Sequence, residues 1–190
     1  MRGIQENAER VVRELLRRVY DQFSGLPLEA VDHLDDGSTM YLKIHIDREK
    51  GAATFDFTGT TKESYGNLNA PRAVTYSAIL YVLRSLVNED IPLNQGCLAP
   101  IEVILPDGTF LSPSAGAATV GGNTDTSQRV TDLVLQAFRA AAASQGTCNN
   151  LTFGYGGQVV DGKVKPGFGY YEVSLYSLIL LSGISATHES

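Results

Sequence analysis

The apolar positions of this chain switch between two periods in separate blocks, and that switching limits the folds open to it. Ile4, Ala8, Val11, Leu15, Val19 and Phe23 recur at steps of three and four with Arg10, Arg13, Arg17 and Arg18 between them. This spacing marks an amphipathic helix, and Ser24-Gly25 ends it. From Met40 to Ile46 the period drops to two: Met40, Leu42, Ile44 and Ile46 on one face, Tyr41, Lys43 and His45 on the other. Residues 53–58 repeat the alternation after Asp47-Arg48-Glu49-Lys50-Gly51, which predicts an antiparallel hairpin with one wet face. A second helix is expected after Pro71, with Val74, Ala78, Tyr81 and Leu86 close together along it. Ile101, Val103 and Leu105 make a short strand closed by Pro106-Asp107-Gly108. A third helix is predicted over residues 124–144, carrying Val130, Leu133, Val134, Ala137 and Phe138 inward, with Gly146 as its stop. Blocks of this kind, undivided by a repeat or low-complexity linker, predict an α+β domain of antiparallel hairpins with two or three long helices.

Composition narrows the function. With 190 residues, 43% of them hydrophobic, the chain can bury a core. Its 15 Lys and Arg are scattered among 21 Asp and Glu, for a net charge of -6, so no basic face is left for a nucleic acid. The two cysteines, Cys97 and Cys148, lack C-x-x-C spacing and suit reduced cytosolic thiols. The first residues reach charged helical sequence with no apolar signal region. The apolar run at 173–184, about a dozen residues, falls short of the ~20 that cross a bilayer. A cytosolic location without membrane attachment is expected.

Several clusters have the chemistry of a site. Asp35 and Asp36, with Asp32 and His33 just before them, suit a divalent cation, or else form a solvated turn before a strand. Gly121-Gly122-Asn123-Thr124 at a helix start would offer backbone N–H groups to a phosphate or carboxylate, with Arg129 adding a guanidinium fork; the alternative is an N-cap with a packing glycine pair. Ser127-Gln128-Arg129, Gln145-Gly146-Thr147 and Asn149-Asn150 either bind a polar ligand or knit loops together. No P-loop, dinucleotide fingerprint or nucleophile elbow is present, and His33, His45 and His188 share no metal-ligand spacing. His45 falls on the outward face of its strand.

Read together, these stretches resemble the hydantoinase B/5-oxoprolinase family. The strings are Asp32-His33-Leu34-Asp35-Asp36-Gly37, Phe55-Asp56-Phe57-Thr58-Gly59-Thr60, Gly66-Asn67-Leu68-Asn69-Ala70-Pro71-Arg72 and Pro92-Leu93-Asn94-Gln95-Gly96-Cys97. Val120-Gly121-Gly122-Asn123, Thr126-Ser127-Gln128-Arg129-Val130, Ser144-Gln145-Gly146-Thr147 and Gly169-Tyr170-Tyr171-Glu172 follow in family order. The wording is most similar to the eukaryotic, ATP-dependent branch that opens 5-oxo-L-proline to L-glutamate in glutathione metabolism.

That resemblance implies a partial hydantoinase B-like domain from the hydrolytic half of such an enzyme. ATP would be bound by a separate, hydantoinase A-like half or subunit, the substrate would be a small lactam, a divalent metal would be a possible further cofactor, and the full-length enzyme would be a homo-oligomer. Phosphorylating the lactam oxygen makes its carbon electrophilic, which leaves the hydrolytic half mainly to position groups and stabilise charge. Asp35, Asp36 and Arg129 are the catalytic candidates. Gly121, Gly122, Asn123, Thr124, Ser127 and Gln128 are candidates for substrate contact, with Asn67, Asn69 and Arg72 as a second polar wall and Asn149, Asn150 and Glu172 as a third. The metal ligands stay unassigned. Family pattern is expected across residues 1–172, with 173–190 a departing tail such as a retained intron, frameshift or mis-predicted gene end would produce. Two other readings stay open: a non-catalytic or partner-binding piece, and a hydantoinase or acetone-carboxylase type of subunit.

Overall fold

Arg2–Gln22 forms helix α1, with Ala8, Val11, Val12, Leu15, Leu16 and Val19 buried along one stripe. The chain leaves it through Ser24 and Gly25, both at positive φ (55° and 72°), the conformation that ends helices. The structure, a computed structural model, describes residues 2–141 and 150–173. Arg13 on α1 donates to the Lys50 carbonyl at 2.7 Å, and Arg48 pairs with Asp21 at 2.6 Å. These contacts tie the helix to the turn at 47–51.

Strands β1 (Leu28–His33), β2 (Thr39–Asp47), β3 (Ala52–Asp56) and β4 (Ile101–Ile104) form one sheet in that order. The expected hairpin is β2–β3, with Ile44 opposite Phe55, and β1 joins it antiparallel with Ala30 opposite Leu42. β4 lies parallel to β3 and joins the sheet beside the expected antiparallel hairpin. A parallel neighbour needs a crossover connection, and helix α2 (Arg72–Leu86) lies within it. The β1 strand itself escaped the period-two reading, because Leu28 and Ala30 are its only fully buried apolar rungs and a carboxylate, Asp32, holds the next position in phase.

One face of the sheet is covered. Leu28, Ala30, Met40, Leu42, Ile44, Ala53 and Phe55 are buried in a core shared with α1, α2 and helix α3 (Thr126–Ala137). Tyr41, Lys43 and His45 stay exposed on the other face, as the alternation predicts. On α2 the buried stripe is Thr75, Ala78, Ile79, Val82 and Leu83, while Tyr81 is 58% exposed. The expected face is therefore rotated. This helix carries apolar side chains nearly all round, so its period alone does not choose a side.

α3 stops at Ala137, well before the predicted Ser144. Ala140 N–H donates to the Leu135 carbonyl at 3.0 Å and Arg139 N–H to that of Gln136 at 2.9 Å, the paired bonds of a Schellman ending. Its left-handed position is held by Arg139 (φ 51°) where glycine is usual, and the Arg139 guanidinium lies 5.2 Å from the Phe23 ring centroid. That cation–π contact offsets part of the conformational cost.

The chain divides into two compact units, Met1–Gly146 and Thr147–Ser190. In the second, β5 (Asn150–Tyr155) pairs with β8 (Phe168–Val173) and β6 (Gln158–Val160) with β7 (Lys163–Lys165), both antiparallel. Asp161 and Gly162, both at positive φ, make the tight turn between β6 and β7. Cys97 is a buried free thiol; Cys148, and the 144–147 and Asn149 motif positions, lie outside the described residues.

Thr75 is fully buried on α2, and among the described residues its hydroxyl has no hydrogen-bond partner. An unmet buried hydroxyl carries its desolvation cost with no return. Thr75→Val should therefore stabilise the fold by about 1 kcal/mol and raise the melting temperature by roughly 2–4 °C. Thermal denaturation of the two proteins checks this, and a lower melting temperature for the variant would contradict it.

Candidate functional site

Two loops meet beside the start of α3, and one side chain fastens them. Asn69 is fully buried. Its carboxamide oxygen accepts from Ser64 N–H at 2.8 Å, and its nitrogen donates to the carbonyls of Ser64, Gly66 and Ala118 at 2.9, 3.0 and 2.9 Å. Every polar atom of the side chain is thus engaged within the protein. Asn69 knits loops, and it offers no wall to a ligand. Asn67 is exposed beside it, and its carbonyl accepts the Gly121 N–H at 2.8 Å.

Gly121 and Gly122 lie in a short 3-10 turn (Val120–Asn123) before α3. Gly122 N–H donates to Thr119 at 3.0 Å and Thr124 N–H to Gly121 at 3.3 Å, so these amides point inward. A Cβ on Gly122 would lie 2.3 Å from the Asn69 carbonyl oxygen. The glycine pair exists for close backbone approach. The anion receptor expected at Gly121, Gly122 and Thr124 is not formed, because the Gly121 amide closes the seam to Asn67 and the Gly122 and Thr124 amides are used within the turn itself.

Arg129 departs from expectation as well. It is 8% exposed and pairs with two carboxylates, Asp32 on β1 and Asp132 one turn further along α3. A guanidinium engaged this way has no free fork for an outside anion. The sequence reading places Asp32 in the carboxylate cluster before Gly37, whereas the structure turns it to Arg129, and Asp132 is a partner that reading does not name. Both signals were present: Asp32 falls in phase with Leu28 and Ala30 on the covered face, and Asp132 is three residues from Arg129, the spacing of helical neighbours.

Asp35 and Asp36 stand exposed in the turn between β1 and β2. Asp36 accepts from Ser38 N–H at 2.8 Å, and Gly37 takes φ 85°. Among the described residues no group of three His, Cys, Asp or Glu side chains is placed to hold a metal ion. Arg72 donates to the Leu105 carbonyl at 2.8 Å and to Asp107 at 2.7 Å, so it ties α2 to the end of β4 and does not stand with Asn67 and Asn69 as a wall. Hydrogen bonds from Arg72 and Ser112, with the Arg72 charge, hold the Asp107 carboxyl below its usual pKa. Asn150 and Glu172 fall on β5 and β8, where Asn150 pairs with Val173 and Glu172 with Leu151; their side chains lie outside what is described.

The remaining candidates do converge. Asn123, Ser127 and Gln128, with Thr131, form one wall of a groove of about 370 Å³ whose other wall is Ala73, Val74, Ser77, Ala78 and Tyr81 of α2. The groove exists because the facing side chains are small at successive helical turns. Ser77, Ser127 and Thr131 each donate their hydroxyl proton to the carbonyl four residues back, at 2.8, 2.9 and 2.9 Å. Their oxygens therefore present lone pairs to a ligand. Among the described residues no carboxylate, imidazole, amine or guanidinium lines the groove, and the groups that do line it can orient a neutral N–H donor. Among the described residues, no helix is long and apolar enough to cross a membrane.

Comparison with known proteins shows the family. The family model described as hydantoinase B/oxoprolinase matches residues 1–188, so the similarity does not stop at residue 172. An uncharacterized protein of Schizosaccharomyces pombe is 61% identical over 188 residues, which is 98% of this chain and 14% of that one. The 5-oxoprolinase 1 of Arabidopsis thaliana is 54% identical over 182 residues, 90% of this chain and again 14% of the relative. The chain thus spans about one-seventh of the curated relatives it matches. A solved structure, the ATP-dependent caprolactamase of Pseudomonas jessenii, shares the fold with a TM-score of 0.64 at 19% identity, over 85% of this chain and 29% of that one.

Two outcomes follow from the ion pairs. Arg129→Met leaves the buried Asp132 and the half-buried Asp32 without their guanidinium and should cost about 3 kcal/mol; urea denaturation reads the loss, and one below about 1 kcal/mol would show that the pairs hold little. Arg72→Ala should let the Asp107 carboxyl rise toward its ordinary pKa, read by NMR titration. Because the folded value is the lower one, the Arg72–Asp107 contact contributes above the unfolded carboxylate pKa and is lost as pH falls through the folded one; an Asp107 titration unmoved by the substitution would contradict its assignment to Arg72.

Proposed function

Because the chain belongs to the hydantoinase B/oxoprolinase family, we propose that it is a segment of the hydrolytic half of an ATP-dependent 5-oxoprolinase acting in the cytosol. The observation that carries this reading is the 54% identity to 5-oxoprolinase 1 along 90% of the chain. ATP is bound by a separate half of the enzyme, which is this segment's partner. There the lactam oxygen takes the γ-phosphoryl group and ADP leaves. Water then adds to the ring carbon, protonation of the ring nitrogen lets the C–N bond break, and a second water hydrolyses the resulting acyl phosphate to glutamate and phosphate.

Within that reaction the groove between α2 and α3 receives the lactam ring. Its acceptor oxygens on Ser77, Ser127 and Thr131 suit the lactam N–H, and Asn123 and Gln128 supply carboxamides at the same wall. The exposed carboxylates of Asp35 and Asp36 are the groups available to orient water or a divalent cation. Asn69, Gly121, Gly122 and Arg129 shape the site from inside the fold.

A chimera tests the proposal. This chain replaces the matching stretch of Arabidopsis 5-oxoprolinase 1, and ATP hydrolysis dependent on 5-oxoproline is measured together with glutamate release. The expected result is activity within about tenfold of the parent enzyme, or about 1.4 kcal/mol in transition-state terms. A folded chimera that releases no glutamate would overturn the proposal. The isolated chain should be silent, and turnover by it alone would remove the need for an ATP-binding partner. In the active chimera, Ser127→Ala with Gln128→Ala should raise the KM for 5-oxoproline roughly tenfold, the loss of about 1.4 kcal/mol of binding; an unchanged KM would place the lactam elsewhere.

A further inference from the structure

Beyond the groove, the Asp32–Arg129–Asp132 cluster joins two parts of the candidate site that are far apart in sequence. Asp32 is on the last rungs of β1, opposite Met40, and three residues before Asp35. The turn that follows is closed by Leu34 N–H to Ser38 at 2.8 Å and Gly37 N–H to Leu34 at 3.0 Å, and Leu34 and Ser38 are both buried. It therefore moves as a unit with the end of β1. Its tip is held within the turn, by Ser38 N–H to the Asp36 carboxylate at 2.8 Å, and stands out from the fold: Asp35, Asp36 and Gly37 are exposed, and a Cβ at Gly37 would meet nothing within 4 Å. On the other flank, Thr39 N–H donates to the Thr61 hydroxyl at 2.9 Å. On the α3 flank the holding contact is Asp32 to Arg129, the residue next to Gln128 of the groove wall.

We infer that Asp32 is a positioning residue, which through Arg129 fixes the Asp35–Asp36 turn relative to the groove. This rests on the reading of that turn and groove as parts of one hydrolytic site. The chemistry supplies a sensitive consequence. After water adds, the activated ring can lose phosphate and return to the lactam, or break its C–N bond and go on to glutamate. The first path consumes ATP and yields no product. A displaced turn favours it, whereas a partly unfolded enzyme loses both activities in proportion.

The experiment measures ATP hydrolysed per glutamate released in the active chimera. Asp32→Asn should fold, because Arg129 keeps its ion pair with Asp132. It should raise the ATP-to-glutamate ratio severalfold and lower glutamate release roughly ten- to a hundredfold, with the melting temperature held. Asp32→Glu, which keeps the charge, should fall between it and the parent. A parallel fall of both activities, or no change in either, overturns the positioning role. If Asp32→Asn does not fold, Asp32→Glu reads the same ratio, and an unchanged value overturns it likewise. Asp35→Asn and Asp36→Asn separate the two levels. If neither lowers glutamate release, the site reading fails and the inference with it; if either does while the Asp32 variants keep the parental ratio, the inference alone fails.

Discussion

Burial of a single face of a four-stranded sheet is the constraint on which the rest depends. Met40, Ile44 and Phe55 are fully inaccessible beneath the helices, and Phe138 at the end of α3 lies with its ring 6.2 Å from that of Phe55. Once that face is covered, the register of β2 and β3 is fixed, since a slip of one residue would turn Ile44 and Phe55 to water and His45 and Thr54 inward. The position of α3 then follows, and with it the groove wall it shares with α2. The hydrogen-bonded knot at Asn69 and the ion cluster at Arg129 refine placements that apolar burial has already chosen.

Legibility in the sequence followed the strength of the apolar period. α1 and the β2–β3 hairpin could be read directly, because their buried and exposed positions alternate cleanly. The face of α2 could not, since a helix apolar on most sides leaves the choice to its neighbours. The end of α3 was missed for a chemical reason. The usual marker is a glycine or asparagine at the left-handed position, whereas Arg139 occupies it here with its charge against an aromatic ring. The strand at Ile101–Ile104 is legible, but its parallel pairing with β3 spans the α2 crossover, to which a local period is blind; β1 is obscured because Asp32 stands where its next apolar rung would be.

The site divided along similar lines. Residue types singled out Asn123, Ser127 and Gln128 for substrate contact, and the fold sets them along one groove wall. The same reasoning overestimated Arg129, Asn69 and the glycine pair, because a polar side chain in a charged or amide-rich string serves internal satisfaction as readily as it serves a ligand. Partners that lie distant in the sequence decide between the two uses. Asp32 and Arg129 are separated by 97 positions, and only the folded chain shows that each already has its counter-charge.

The closeness of Gly122 to the Asn69 carbonyl has a consequence for anyone comparing relatives. Even the smallest side chain at that position would lie 2.3 Å from a backbone oxygen, so drift there is barred by sterics independently of any ligand. An invariant glycine pair in this family would therefore record how tightly two loops are pressed together, and a search for specificity would do better to follow the variation at Ala73, Ser77 and Tyr81 across the groove.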